Sequence, residues 1–210
     1  MKSAEPSRRG RLFVIAAPSG AGKTSLVRAL MDRVPSLGFS VSFTTRQPRP
    51  REVDGHDYHF VSEARFVEKV RRNEFLEHAR VFDNRYGTGL AEVEAALATG
   101  KDLILEIDWQ GARQVRARLP EAIDIFILPP SRDALEERLR NRRSDTPEVI
   151  ARRLRDSVAE MSHWSEFRYV VVNDDFERAL EDMLAIVRGD GERLRRDRPE
   201  LAPLAASLLA

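Results

Sequence analysis

The stretch Ala17-Pro18-Ser19-Gly20-Ala21-Gly22-Lys23-Thr24 follows a short apolar run and opens a helical pattern. It fits the phosphate-loop spacing G-x-x-x-x-G-K-[ST], with Ala17 where the first glycine is expected. Gly20 and Gly22 allow the backbone to turn successive N–H groups toward a phosphate, and a helix N-terminus adds partial positive charge. Lys23 is expected to reach the β- and γ-phosphates of a nucleoside triphosphate, and the Thr24 hydroxyl to sit on Mg²⁺; Ser25 completes the phosphate-binding run. Ala17 is tolerated provided its φ stays negative. A glycine-rich turn beside an exposed lysine is the plainer alternative, but it leaves four matched positions in a strand–loop–helix context unexplained.

A phosphate loop does not by itself separate GTPases, ATPase motors and small-molecule kinases. Asp108-Trp109-Gln110-Gly111 has the D-x-x-G spacing of a GTPase switch. The late N-K-x-D guanine reader is missing, since Val172-Asn173-Asp174-Asp175 has no lysine. Between residues 42 and 51, Arg46, Arg49 and Arg51 fall within six positions, beside Pro48 and Pro50. Guanidinium forks suit phosphate oxygens, and proline-stiffened backbone loses little on ordering; the alternative is a solvated loop. Further along come Tyr58, Glu77, Tyr86 and Thr88. A carboxylate with hydroxyls beside a basic cradle suits guanine, whose imino and amino groups donate to the acid while its carbonyl accepts. Adenine would face that acid with an acceptor, and each buried unpaired group costs about 1–3 kcal/mol.

With these residues assembled, the chain from about Arg11 to Arg188 resembles the guanylate kinase family of nucleoside monophosphate kinases. The resemblance is carried by A-P-S-G-A-G-K-T, S-F-T-T-R-Q-P-R, G-H-D-Y-H-F, N-E-F-L-E, Y-G-T, L-E-I-D-W-Q-G, P-P-S and V-V-N-D-D, in the family's order. It implies transfer of the γ-phosphoryl group of ATP to GMP, and to dGMP, giving ADP and GDP in purine nucleotide metabolism and GMP recycling. It further implies that Arg46, Arg49, Tyr58 and Tyr86 hold the GMP phosphate. Ser42, Glu77 and Thr88 would read guanine, with Asp108 as a supporting carboxylate. Asn173 would contact adenine, although a strand-end cap accounts for it nearly as well.

The elements that must position these groups are legible. Short apolar runs at Leu12–Ala17, Leu103–Ile107, Ile125–Leu128 and Tyr169–Val172 read as parallel strands covered on both faces. Helical patterns over Lys23–Arg33, Gln110–Leu119, Ser131–Arg142, Thr146 to about Trp164, and Phe176–Arg188 alternate with them. The expected class is therefore α/β, a P-loop parallel-sheet core with helices on both faces. Residues 39–88 break the pattern. Phe39–Thr45, Tyr58–Val61, Phe75–His78 and Arg80–Phe82 read as a small, mixed, mostly antiparallel GMP-binding insertion.

The arginines of residues 136–155 sort by helical angle. Arg138 and Arg142 lie within about 60° of Leu135, beside the apolar stripe, while Arg140 is turned about 140° away. Arg153 similarly flanks Ile150, Leu154, Ser157 and Met161, with Arg152 and Arg155 outward. Arg138, Arg142 and Arg153 are thus the candidates to reach a cleft; a charged helical hairpin with i,i+4 pairs is the alternative. They also match the arginines of the family's lid and its base, and in the family that lid closes over the phosphates. Arg143 stands where the family usually has a small residue. The expected segments are a flexible N-terminus (1–10), a core (11–38, 89–135 and 155–188), the insertion (39–88), a helical lid (136–154) and a C-terminal tail (189–210) that is helix-forming or frayed.

Composition narrows the classes. The 210 residues carry 35 Lys plus Arg against 34 Asp plus Glu, a net charge of +1, so the chain is no general polyanion or nucleic-acid binder. With 0 cysteines, disulfides, thiolate metal sites and cysteine nucleophiles are excluded. No run approaches the ~18 apolar residues of a membrane span, and Leu12–Ala17 is too short for a signal-peptide core. The expected compartment is the cytoplasm, the expected partners are ATP and GMP alone, and no oligomeric state is implied. Three rivals have discriminators. A sugar-phosphate kinase would lack the Arg46–Thr88 constellation, and a dead interaction module would commonly lose Lys23 and Thr24. A nucleic-acid binder would show salt-dependent retention on DNA.

Overall fold

The computed structural model describes residues 8–81, 83–141 and 147–210. Phe82, Arg142, Arg143 and Thr146, all singled out above, lie outside the described residues, as do residues 1–7 of the expected flexible N-terminus. In chain order the first elements are β1 (Leu12–Ala16), α1 (Lys23–Arg33), β2 (Gly38–Phe39), β3 (Phe43–Thr44), β4 (His59–Phe60), α2 (Glu63–Arg71), β5 (Phe75–Val81) and β6 (Asn84–Gly89). Then come α3 (Leu90–Ala98), β7 (Leu103–Glu106), α4 (Trp109–Arg118), β8 (Ile123–Leu128), α5 (Arg132–Arg140), α6 (Pro147–Met161), β9 (Tyr169–Val172), α7 (Phe176–Arg188) and α8 (Leu201–Leu209).

Two sheets result, a parallel one in the order β2-β7-β1-β8-β9 and a second, mixed one in the order β4-β3-β6-β5. The chain divides into two compact units. The first comprises the described residues up to Leu12, Ser36–Leu105 and Gln110–Ala122; the second comprises Phe13–Pro35, Glu106–Trp109 and Ile123–Ala210.

In the second unit the β1 residues Phe13–Ala16 are all buried, as a strand covered on both faces requires. Ile15 pairs with Ile125 of β8, and Ile127 with Val171 of β9. α1 packs on α7, and Arg33 at the end of α1 reaches Glu177 and Glu181. Helix starts are fixed by side chains: Ser131 accepts the Ala134 N–H, and Asp175 accepts the Arg178 N–H. α7 stops at Gly189, whose φ of 95° suits the left-handed cap. α1 differs, because Gly22, with a φ of 95°, opens it with no side-chain cap.

In the first unit the mixed sheet holds a small aromatic core of Phe43, Phe66 and Phe75, with Val61 and Val70 against it. β3 runs parallel to β4 and antiparallel to β6, and β5 is antiparallel to β6. The expected single strand Phe39–Thr45 is two strands: Gly38–Phe39 pairs with β7, and Phe43–Thr44 belongs to the mixed sheet. The two expected pieces Phe75–His78 and Arg80–Phe82 are one strand through Val81, because β6 pairs along it. α2 and α3 are additional; α2 buries Phe66 and sets Val70, one turn on, against the same aromatic core.

Residues 189–210 are ordered by packing. α8 lies against α6, with Leu201 and Leu208 buried, and Arg198 donates to the Val170 carbonyl at 2.8 Å. Leu201→Ala should lower stability by about 2–5 kcal/mol, which for a chain of this size is a fall in Tm of about 5–15 °C. The same change at exposed Leu209 should be nearly neutral; equal Tm values for the two variants in a thermal melt would contradict a packed tail.

Candidate active site

The phosphate loop lies in the second unit. Gly20 and Gly22 have φ values of 91° and 95°, conformations that L side chains rarely adopt, whereas Ala17 is not among the positive-φ residues. A methyl at Gly22 would come within 2.4 Å of the Asn173 Nδ2. That nitrogen cannot easily yield, because it donates to the Ala21 carbonyl at 2.7 Å from a buried side chain.

Ser19 of the loop is held from α6, and Asn173, which follows β9, is itself held from α5. The Ser157 hydroxyl donates to the Ser19 carbonyl at 3.1 Å, and the Ser19 N–H donates to Glu160 Oε2 at 3.1 Å. Both residues are on α6, three positions apart and on one face. The Asn173 carbonyl accepts from Arg138 Nη2 at 2.9 Å. Arg138 Nη1 is buried and has no hydrogen-bond partner among the described residues. A buried guanidinium N–H left open is a donor available to an acceptor. The angular reading of the arginines holds for the described ones. Arg138 and Arg153 are half-buried while Arg140, Arg152 and Arg155 are exposed, and Arg140 pairs with Glu136 at 2.6 Å.

At the end of β7, Glu106 joins the loop. Thr24 Oγ1 donates to Glu106 Oε1 at 2.5 Å, and Lys23 Nζ lies 4.0 Å from the same oxygen while donating to the Ile107 carbonyl at 3.1 Å. A hydroxyl and a carboxylate oxygen so close form a hard-oxygen pair that fits a magnesium ion, which keeps most of its shell as water and phosphate. Ser25 is exposed on the first turn of α1. Asp108 follows two residues later, and its neighbour Trp109 stacks on His163 with ring centroids 3.6 Å apart.

The expected acceptor residues lie in the first unit, apart from Asp108. Glu77 on β5 is directly opposite Thr88 on β6, and the Thr88 hydroxyl donates to Glu77 Oε1 at 2.6 Å. Their exposures are 3% and 0%, so this is a buried carboxylate oriented by a hydroxyl. Arg46 lies 5.3 Å from the Tyr58 ring and 5.8 Å from that of Phe60, and it is hydrogen-bonded to Tyr86. The Tyr58 and Tyr86 rings are 6.0 Å apart. Thr44 fixes the strand end that carries Arg46: its hydroxyl accepts the Arg46 N–H and donates to the Arg85 carbonyl. Ser42 is half-buried just before β3. Arg49 keeps an exposed side chain and joins the cluster through its backbone N–H, which donates to Glu52 Oε2 at 2.7 Å.

Several residues were not anticipated. Glu52 holds Arg46 Nη2 at 2.8 Å, and that guanidinium, followed by the Arg49 N–H, keeps the Glu52 carboxyl below its ordinary range. Glu106 carried a usable signal, a carboxylate at the C-terminal end of an apolar strand in a phosphate-loop chain. Ser157 also carried one, as the polar interruption of the Ile150–Met161 stripe. Glu160 carried none, since a lone glutamate on a charged helix is unremarkable in sequence.

The family model for guanylate kinase matches residues 9–189. The guanylate kinase of Methylobacillus flagellatus is 60% identical over 190 residues, covering 90% of this chain and 93% of its own. That of Chromohalobacter salexigens is 53% identical over 206 residues, covering 98% and 96%, and that of Escherichia coli K12 is 50% identical over 204, covering 96% and 99%. The crystal structure of guanylate kinase from Anaplasma phagocytophilum superposes with a TM-score of 0.72 at 32% identity, covering 89% of this chain and 88% of that one.

Burial pushes the Glu160 carboxyl above the ordinary glutamate value of 4.5, against the Ser19 N–H and Lys23, which favour its charge; Asp108 and Asp156 add to the rise. A carboxyl raised on folding contributes stability that is present below its unfolded pKa and lost as pH rises through the folded one. Glu160→Gln keeps an acceptor for Ser19 but does not titrate. Urea unfolding should therefore show the wild type losing stability relative to E160Q as pH rises from about 4 to about 7. A difference constant across that range would contradict this assignment.

Proposed function

The chain belongs to the guanylate kinase family, and on that premise we propose that it transfers the γ-phosphoryl group of ATP to GMP, and to dGMP, releasing ADP and GDP. The observation that carries the base assignment is the buried Glu77–Thr88 pair. A carboxylate held out of water needs donors, and guanine's imino and amino groups supply them; adenine would leave it facing an acceptor. Ser42 reads the same base and Asp108 supports it, while Arg46, Arg49, Tyr58 and Tyr86 hold the acceptor phosphate.

On the donor side, residues 17–25 wrap the ATP phosphates with backbone N–H groups, and Lys23 leaves the Ile107 carbonyl for the β- and γ-phosphates. Asn173 serves this side by holding Ala21 and thereby the loop. Magnesium, bound with ATP at Thr24 beside Glu106, would neutralise charge on the β- and γ-oxygens. Arg138, Arg142 and Arg153 stabilise the phosphoryl group in transit, the open Nη1 of Arg138 supporting this for the first of them. No general base is required, because a phosphate monoester has its second pKa near ~6 and is mostly dianionic at neutral pH. What remains is anion repulsion, which alignment and fixed cations offset.

This reading keeps a core of residues 11–38, 89–135 and 155–188, an acceptor insertion of 39–88 and a lid of 136–154. Among the described residues no helix is long and apolar enough to cross a membrane, and we assign the protein to the cytoplasm.

ADP release with AMP, CMP, GMP and UMP as acceptors should be fastest by far with GMP; equal or absent turnover of GMP would contradict the proposal. Glu77→Ala should lower kcat/KM for GMP about 10- to 100-fold and narrow the gap to AMP. Lys23→Ala should cost about 10²–10³-fold in kcat.

A further inference from the structure

β5, which carries Glu77, ends the mixed sheet, so its outer backbone edge has no strand partner among the described residues. That edge is met instead by side chains of α4. Gln114 takes both polar groups of one residue: its Nε2 donates to the His78 carbonyl at 2.8 Å, and its Oε1 accepts the His78 N–H at 3.1 Å. Four residues on, Arg118 Nη1 donates to the Phe75 carbonyl at 2.5 Å. The primary amide of Gln114 offers the donor and acceptor that a neighbouring strand would offer, so it closes the edge as a one-residue bridge.

The location gives this bridge a consequence. The His78 nitrogen and the Glu77 carbonyl carbon share one peptide plane. Gripping that nitrogen and the next carbonyl therefore fixes the backbone from which the Glu77 side chain departs. The register of β5 against β6 also shifts between Phe75 and Glu77, so the ladder alone holds this point less firmly than a regular one would. Glu77 is thus constrained at both ends, by Gln114 through the peptide and by Thr88 through the carboxylate.

We propose that Gln114 is a positioning residue for base selection, acting through the His78 peptide on Glu77. This rests on the reading that Glu77 binds guanine. A carboxylate meeting two donors of a planar base tolerates little displacement, so loosening the peptide weakens GMP more than a base that never paired with the acid. Use of ATP, whose loop lies in the other unit, is left alone.

The test uses the full-length protein with two variants. Gln114→Leu removes both hydrogen bonds at similar volume, and Gln114→Glu fills the same space while losing the donor to the His78 carbonyl. KM for GMP should rise about tenfold in Gln114→Leu and by less in Gln114→Glu. The GMP-to-AMP preference should fall in step, with KM for ATP unchanged. Combined with Glu77→Ala, neither variant should change base preference further. If the wild type itself shows no preference for GMP, the underlying functional reading fails. If it prefers GMP and both soluble variants keep that preference, or if they alter it equally without Glu77, the role given to Gln114 is wrong. Should Gln114→Leu not fold, Gln114→Glu decides alone by the same two criteria.

Discussion

Two positive-φ glycines give the phosphate loop a shape that has to be held from outside it, and much of the second unit follows from that constraint. Within the loop the Ala21 N–H donates to the Pro18 carbonyl at 3.2 Å, and further backbone groups are met from outside. Asn173 therefore takes the Ala21 carbonyl, Ser157 the Ser19 carbonyl and Glu160 the Ser19 N–H. These holders come from β9's end and from α6, which is in turn braced by α8. The glycines belong to the same requirement. Gly22 must be glycine both for its φ and because Asn173 occupies the space a side chain would need.

The first unit meets a related constraint with different means. A carboxylate is kept nearly out of water at Glu77, which is tolerable only with donors to receive. Thr88 supplies one within the chain, and the fold keeps the acid on a strand whose outer edge is closed by α4 side chains rather than by another strand. Arg46 shows the same economy with opposite sign: Glu52 and two tyrosines surround a half-buried guanidinium.

Much of this was legible in sequence. The limits of α1, α7 and β9 coincide with the patterns at Lys23–Arg33, Phe176–Arg188 and Tyr169–Val172, because continuous apolar strands and capped amphipathic helices carry their boundaries locally. The phosphate loop was legible for the same reason, and Ala17 keeps the φ it needed. The insertion was less so. Whether Phe39 and Phe43 share a strand depends on β7 and β6, which lie far along the chain, and the continuity of β5 past His78 depends on β6 pairing with it. The holders of the loop escaped similarly. Glu160 and Gln114 are ordinary helix residues until the backbone groups they bind are known.

The account's central claim is phosphoryl transfer between two nucleotides, not hydrolysis of one. It is tested most directly by incubating the protein with GMP and ATP labelled at the γ-phosphorus, then separating the products. The label should be recovered in GDP, and should stay in ATP when GMP is omitted. Recovery of the label as inorganic phosphate, at a rate indifferent to GMP, would contradict the claim.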